Sequence, residues 1–130
     1  MKFTIVIYSA PYSSQAATSA WQFCSALLES GHSIYRLFFY HDGVHNNSQL
    51  SVPAQDEINL PLQWAKLIQQ HQIDAVSCVS SALKRGVLDT TEAQRHEKSC
   101  HNLSDTAELS GLGQLIDACI ASDRVVSFGA

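Results

Sequence analysis

The chain has 130 residues, 45% of them apolar, and a formal net charge of -4. That supports one hydrophobic core and not two ordinary domains, so residues 1–130 read as one domain. The acidic balance gives no ground for broad attraction to nucleic acid or an anionic membrane, and Cys24, Cys78, Cys100 and Cys119, far apart and without a CxxC pair, argue against a disulfide framework or a zinc ribbon.

Residues 3–8, FTIVIY, read as a buried strand, because the run is short, β-branched and aromatic and closes on Ser9-Ala10-Pro11. The same features make it a poor secretory signal. No other run approaches a membrane span, so a soluble, cytoplasmic protein is expected. Ser13 or Ser14 can cap a helix that ends near Gly31, with Ala17, Ala20, Trp21, Cys24, Leu27 and Leu28 on one face. SIYRLFFY, 33–40, reads as a second strand. A long loop rich in turn formers is expected from 41 to 60. Pro61 suits the first turn of a helix through His71, with Leu62, Ala65, Leu67 and Ile68 as its apolar residues. Residues 73–79 read as a third strand, 80–86 as a short helical segment, and 91–99 as an exposed helix or irregular segment, with Asp89 and Glu92 as capping residues. A short strand is expected at 106–110. Residues 111–122 read as a helix with Leu112, Leu115, Ile116, Cys119 and Ile120 on its buried face, and 124–128 as a last strand. Strands that alternate with helices predict a three-layer α/β domain with a mostly parallel sheet.

Among the candidate sites, Cys24 and Cys119 fall on helix faces expected to be buried, where a cysteine serves as a small core hydrophobe. Cys100 follows a charged segment and is expected to be exposed. Cys78 differs, because it ends a predicted central strand, where open α/β sheets place their ligands. If the chain turns into a helix directly after it, backbone N–H groups favour the thiolate, and Lys84 and Arg85 add positive charge nearby. A packed strand thiol and a reactive one remain open at this point. A phosphatase or rhodanese loop, Cys-x5-Arg, does not fit: that offset holds Lys84, Arg85 comes one later, and VSSAL has no glycine. A papain-type pair needs a nearby histidine, and sequence places none of His41, His45, His96 or His101 beside the cysteine. His41, Asp42 and His45 could begin a metal site, but a solvated or interface loop is the better reading. SGLGQL, 110–115, has part of a dinucleotide fingerprint and lacks its third glycine; a tight strand-to-helix turn is preferred for Gly111 and Gly113.

Taken together, KFTIVIYSAPY, FFYHDGVHNNSQL, CVSSALKRGV and LSGLGQLIDACIASDRVVSF, in this order, are similar to the DsrE family of small sulfurtransferases, most of all to its TusD-type subunits. The resemblance is collinear over nearly the whole chain. It implies a three-layer α/β/α fold with a five-stranded parallel sheet and an active cysteine at Cys78. It also implies assembly with TusB-like and TusC-like sister subunits, a TusA-like sulfur donor and a TusE-like acceptor, leading to 2-thiolation of tRNA wobble uridine. No direct binding of nucleic acid or membrane is implied. DsrE-type subunits acting in dissimilatory sulfur oxidation are close relatives, and some family members lack the cysteine and serve as interaction subunits. The chemistry implied is persulfide transfer, which needs no metal or organic cofactor. Lys84 and Arg85 would stabilise the anion or dock an acidic partner; the second basic residue of the pair matches the family's arginine, and Lys84 is a mild departure. A flavodoxin-like ligand-binding enzyme is a weaker alternative, since SAPYSSQ has no glycine.

Overall fold

The computed structural model describes residues 1–129. Strands and helices follow one another as β1 (Lys2–Ile7), α1 (Ala16–Glu29), β2 (Ser33–Phe39), a 3-10 helix (His41–Asn47), α2 (Leu60–His71), β3 (Ala75–Cys78), α3 (Val79–Lys84), α4 (Thr90–Arg95), β4 (Glu108–Ser110), α5 (Gly113–Ala121) and β5 (Arg124–Phe128). The five strands form one sheet in the order β4-β3-β2-β1-β5, and every pairing is parallel.

This order dictates which face each helix covers. From β1 to β4 the chain steps one way across the sheet, then returns to place β5 beside β1. Right-handed crossovers put helices on one face while the chain steps in one direction and on the other face when it reverses. α1 and α2 accordingly cover one face, where Ile5, Ile7, Leu37 and Phe39 pack with Cys24, Leu27, Trp64 and Ile68. α5, the only helix of the return step, lies on the opposite face, where Val6, Phe38, Val76 and Cys78 cluster with Tyr8, Tyr40 and Leu115. The layers are thus α/β/α, and one of them is thin.

Arg36 fixes how that thin layer sits. It is the one charged residue in a strand otherwise dominated by apolar side chains, and it is 8% exposed. Its guanidinium donates to Asp74 Oδ2 at 2.7 and 2.8 Å, to Asp117 Oδ2 at 3.0 Å and to the Gln114 carbonyl at 2.8 Å. A buried guanidinium needs such partners, and two of them belong to α5. The helix therefore turns Leu115 and Ala118 toward the sheet. Its predicted apolar stripe is correspondingly displaced: Leu112, Ile116 and Ile120 face outward, and Cys119 is exposed, not buried. Cys24 is buried as expected.

Two other expectations need correction. In α2 the buried stripe is Leu60, Trp64, Leu67 and Ile68, with Leu62 exposed, because Trp64 fills the space above Phe39 at a ring separation of 5.3 Å. The segment after β2 is not a solvated loop through its first part. It coils into the 3-10 helix, and Gly43, Val44, Asn46 and Asn47 are buried. α1 begins at Ala16 after Gln15, and Ser14 contributes only a hydrogen bond from the Ala16 N–H. Asp89 caps α4 as expected, accepting from the Glu92 N–H at 2.8 Å. No helix among the described residues is long and apolar enough to cross a membrane.

Candidate active site at the end of the third strand

All four residues of β3 are buried, with β2 on one side and β4 on the other. The chain then turns without a linker into α3, so that Cys78 is the last strand residue and the N-cap of the helix, at φ -58° and ψ 121°. Its side chain points to the thin face, and the residue is 3% exposed. The flanking Ser80 is exposed.

Burial alone raises a thiol, since it disfavours the charged form. Cys24 shows the pure effect, pushed up to about 12 by its apolar surroundings. At Cys78 burial pushes the same way, yet the thiol lies below its ordinary value. The hydroxyls and backbone N–H groups of Ser81 and Ser80 stabilise the thiolate and outweigh the burial. The Ser80 Oγ is 3.7 Å from Sγ. The cause is local and sequential: a residue at the N-cap faces the free N–H groups of the first helical turn, and here that turn also carries two hydroxyls. A sulfur anion thus has donors waiting in an otherwise apolar setting.

The 3-10 helix buttresses this turn. The Arg85 Nε donates to Asp42 Oδ1 at 2.7 Å, and another of its nitrogens to the Ser81 carbonyl at 3.2 Å. The His41 N–H donates to Ser81 Oγ at 3.2 Å. Below, the Asn47 amide donates to Ser77 Oγ at 2.6 Å, and the Asn46 amide to the carbonyls of Ser9 and Gly43 while accepting from the Trp64 indole N–H at 3.1 Å. Gly43 is required at its place, since a Cβ there would lie 1.9 Å from the Ile7 carbonyl oxygen. His41 sits at φ +49°, and its ring stacks on Tyr40 at 4.2 Å. Tyr40 in turn stacks on Tyr8 at 5.6 Å.

Of the basic pair, Arg85 is committed to Asp42 and the helix, whereas Lys84 is exposed beside a shallow depression that it lines with Leu83, Leu88, His96 and Lys98. Cys100 is exposed, and His96 contacts Glu92 at 3.3 Å. Among the described residues, no three His, Cys, Asp or Glu side chains are disposed to hold a metal ion; Asp42 is taken by Arg85 and His41 by the tyrosine stack. Sequence reasoning missed Ser80 and Ser81, and it offered Asp42 as a possible metal ligand and not as a partner of Arg85. The serines were visible as two hydroxyls in the first turn after a strand-end cysteine; the Asp42–Arg85 pairing gave no signal, because the two lie 43 residues apart.

This geometry sits in a chain whose relatives are recognisable. Residues 1–128 match the model of the DsrE/DsrF-like family. The chain belongs to this family. It is 48% identical over 129 residues to a sulfurtransferase TusD homolog of Pseudomonas aeruginosa, covering 99% of this chain and 98% of that one. A TusD homolog of Vibrio vulnificus is 45% identical over 128 residues, with 98% of both chains covered. A protein of Allochromatium vinosum named DsrE is 47% identical over 129 residues, with 99% of both covered. Identity at this level over nearly the full length makes this family member a sulfurtransferase. The crystal structure of the ychN protein from E. coli superposes with a TM-score of 0.78 at 22% identity, covering 98% of this chain and 99% of that one, and shares the fold.

Proposed function

We propose that Cys78 carries the transferred sulfur as a persulfide. The observation that supports this most directly is a strand-end thiol that burial should raise and that the first turn of α3 instead holds below its ordinary value. In the first step the Cys78 thiolate attacks the outer sulfur of a donor persulfide. The donor's S–S bond breaks, the donor leaves as a thiolate, and Cys78 bears the extra sulfur. In the second step an acceptor thiolate attacks that outer sulfur, and the Cys78 thiolate is released again. Each step exchanges one S–S bond for another with no net oxidation, so no cofactor is consumed.

The similarity to TusD homologs supports a TusA-like donor, a TusE-like acceptor and a final use in 2-thiolation of tRNA wobble uridine. It also supports TusB-like and TusC-like sister subunits, and α5 offers them a surface: Ile116 is 61% and Ile120 82% exposed. Lys84, with Lys98 beside it, suits contact with an acidic segment of a donor or acceptor. A second reading has its own support, because the relative named DsrE is as similar as the TusD homologs. It keeps the same persulfide step and places it in sulfur oxidation.

Intact mass spectrometry tests the shared step. The chain and its sister subunits are incubated with a cysteine desulfurase, cysteine and the small sulfur carrier. We expect a gain of one sulfur atom, removed by reductant, in the wild type and none in Cys78→Ser. Equal gain in both would end the assignment of Cys78, and no gain in either would make this chain an interaction subunit. Transfer onward to the acceptor of one pathway and not the other separates tRNA thiolation from sulfur oxidation.

A further inference from the structure

A persulfide on Cys78 needs room for one more sulfur, and the sides of the thiol are not alike. The register that pairs Phe39 with Ser77 sets Tyr40 beside Cys78 on the same face. Tyr40 continues β2 in extended backbone, and its N–H still donates to the Ile7 carbonyl at 2.9 Å. Its ring is held by the near-parallel rings of Tyr8, at 5.6 Å, and His41, at 4.2 Å, and meets Phe38 edge-on. Leu115 of α5 packs on the same cluster, and Val76 precedes Cys78 on this face of the strand. These sides are aliphatic or aromatic. A ring face carries negative charge density and attracts no anion.

Two sides carry hydroxyls. Across the sheet, Ser110 of β4 is the register partner of Cys78. Along the chain, the Ser80 Oγ stands 3.7 Å from Sγ, and among the described residues that sulfur is its one hydrogen-bond partner. Ser81, the other hydroxyl of the turn, is engaged by the His41 N–H. Cys78 is 3% exposed whereas Ser80 is exposed, so the way from Sγ past the Ser80 hydroxyl leads outward. A sulfur bonded to Sγ lies about 2.05 Å from it, and turning the Cβ–Sγ bond brings it within reach of this hydroxyl. Placed there, the added atom gains a donor and faces the surface, where an acceptor thiolate must arrive.

We propose that the Ser80 hydroxyl donates to the outer sulfur of the Cys78 persulfide and holds it at the mouth of the site. The proposal rests on the reading of Cys78 as the sulfur carrier and deepens it. Ser80 is then a catalytic residue, because it touches the atom that is transferred. A hydrogen bond to an ionised acceptor is of the stronger kind. When the donor thiolate leaves, this bond keeps the newly bound sulfur in place. When the acceptor thiolate attacks, the same bond draws negative charge from the atom under attack, so that two anions do not meet unshielded.

The full chain, part-loaded with inorganic polysulfide and then labelled with iodoacetamide across a range of pH, tests this. In loading, the Cys78 thiolate takes a terminal sulfur and leaves a polysulfide one atom shorter with its charge unchanged. In labelling, a sulfur anion displaces iodide. Peptide masses separate the loaded from the unloaded form of each cysteine in one sample, and each midpoint reports the ionisation of the sulfur that reacts. Ser80→Ala is expected to raise the midpoint of loaded Cys78 by about one pH unit, the scale of one hydrogen bond to a charged group. Ser80→Thr, which restores the hydroxyl, should stay near the wild type, and loaded Cys100, on the surface, should not move in either variant. A loaded Cys78 midpoint unmoved in Ser80→Ala would overturn the proposal, as would a larger shift in Ser110→Ala or Tyr40→Phe. The two readings fail differently. Sulfur on Cys78 with no effect of Ser80→Ala removes the role of Ser80 alone, whereas sulfur on Cys100 and none on Cys78 removes the carrier role and that of Ser80 with it.

Discussion

Position 43 admits no side chain. A methyl group there would lie 1.9 Å from the Ile7 carbonyl oxygen, a backbone atom in a buried strand that cannot move aside cheaply. That same oxygen accepts the Tyr40 N–H at 2.9 Å, so displacing it also disturbs the end of β2. Gly43→Ala is expected to cost about 3 kcal/mol through overpacking. In urea this is a lower midpoint at unchanged slope; an unchanged midpoint would show that the turn can shift. The strand-end position of Cys78 was legible at this scale, from the apolar run that leads to it; its role as carrier is the proposal made above. What tunes it was less so. Two serines in the following turn could have been weighed from their spacing, but Asp42 becomes part of the site only when the fold brings it to Arg85.

At the scale of elements, the strands could be read well because apolar β-branched runs carry a local signal. The expected ranges 124–128 and 33–40 match β5 and β2 to within a residue. α5 was read as a helix but turned the wrong way. Its apolar periodicity is real, and a buried guanidinium on another element overrides it. Asp117 accepts from the Tyr35 hydroxyl and from Arg36, and these two hydrogen bonds hold its carboxyl below the usual carboxylate range. A carboxyl lowered in the folded state adds stability above its unfolded value, about 3.9, and loses it as pH falls through the folded one. The α5 anchor should accordingly weaken in acid, below about pH 4. Native-state hydrogen exchange, corrected for intrinsic rates, should show α5 losing protection there before α1 does. Asp117→Asn should remove that helix-specific pH dependence; equal acid losses in both helices of the wild type would count against the anchor.

For the whole molecule, strand order decides most. Alternating elements predicted the three layers and the parallel sheet. They could not predict that three of the crossovers would step one way and one the other, which is what leaves a single nine-residue helix over the Cys78 face. The outward Ile116 and Ile120, with half-exposed Leu112 and Val125 nearby, form an apolar area of the kind that marks association sites. With both isoleucines replaced by aspartate, the chain should no longer co-purify with the sister subunits proposed above, while alkylation of Cys78 by iodoacetamide stays the same. Retained co-purification would move the interface elsewhere. The uncovered helix also bears on supply. Each newly made chain carries this apolar surface through a crowded cell until something covers it, and surplus copies meet chaperones and proteases first. The amount that accumulates would then follow the abundance of whatever covers α5 more closely than the rate at which the chain is made.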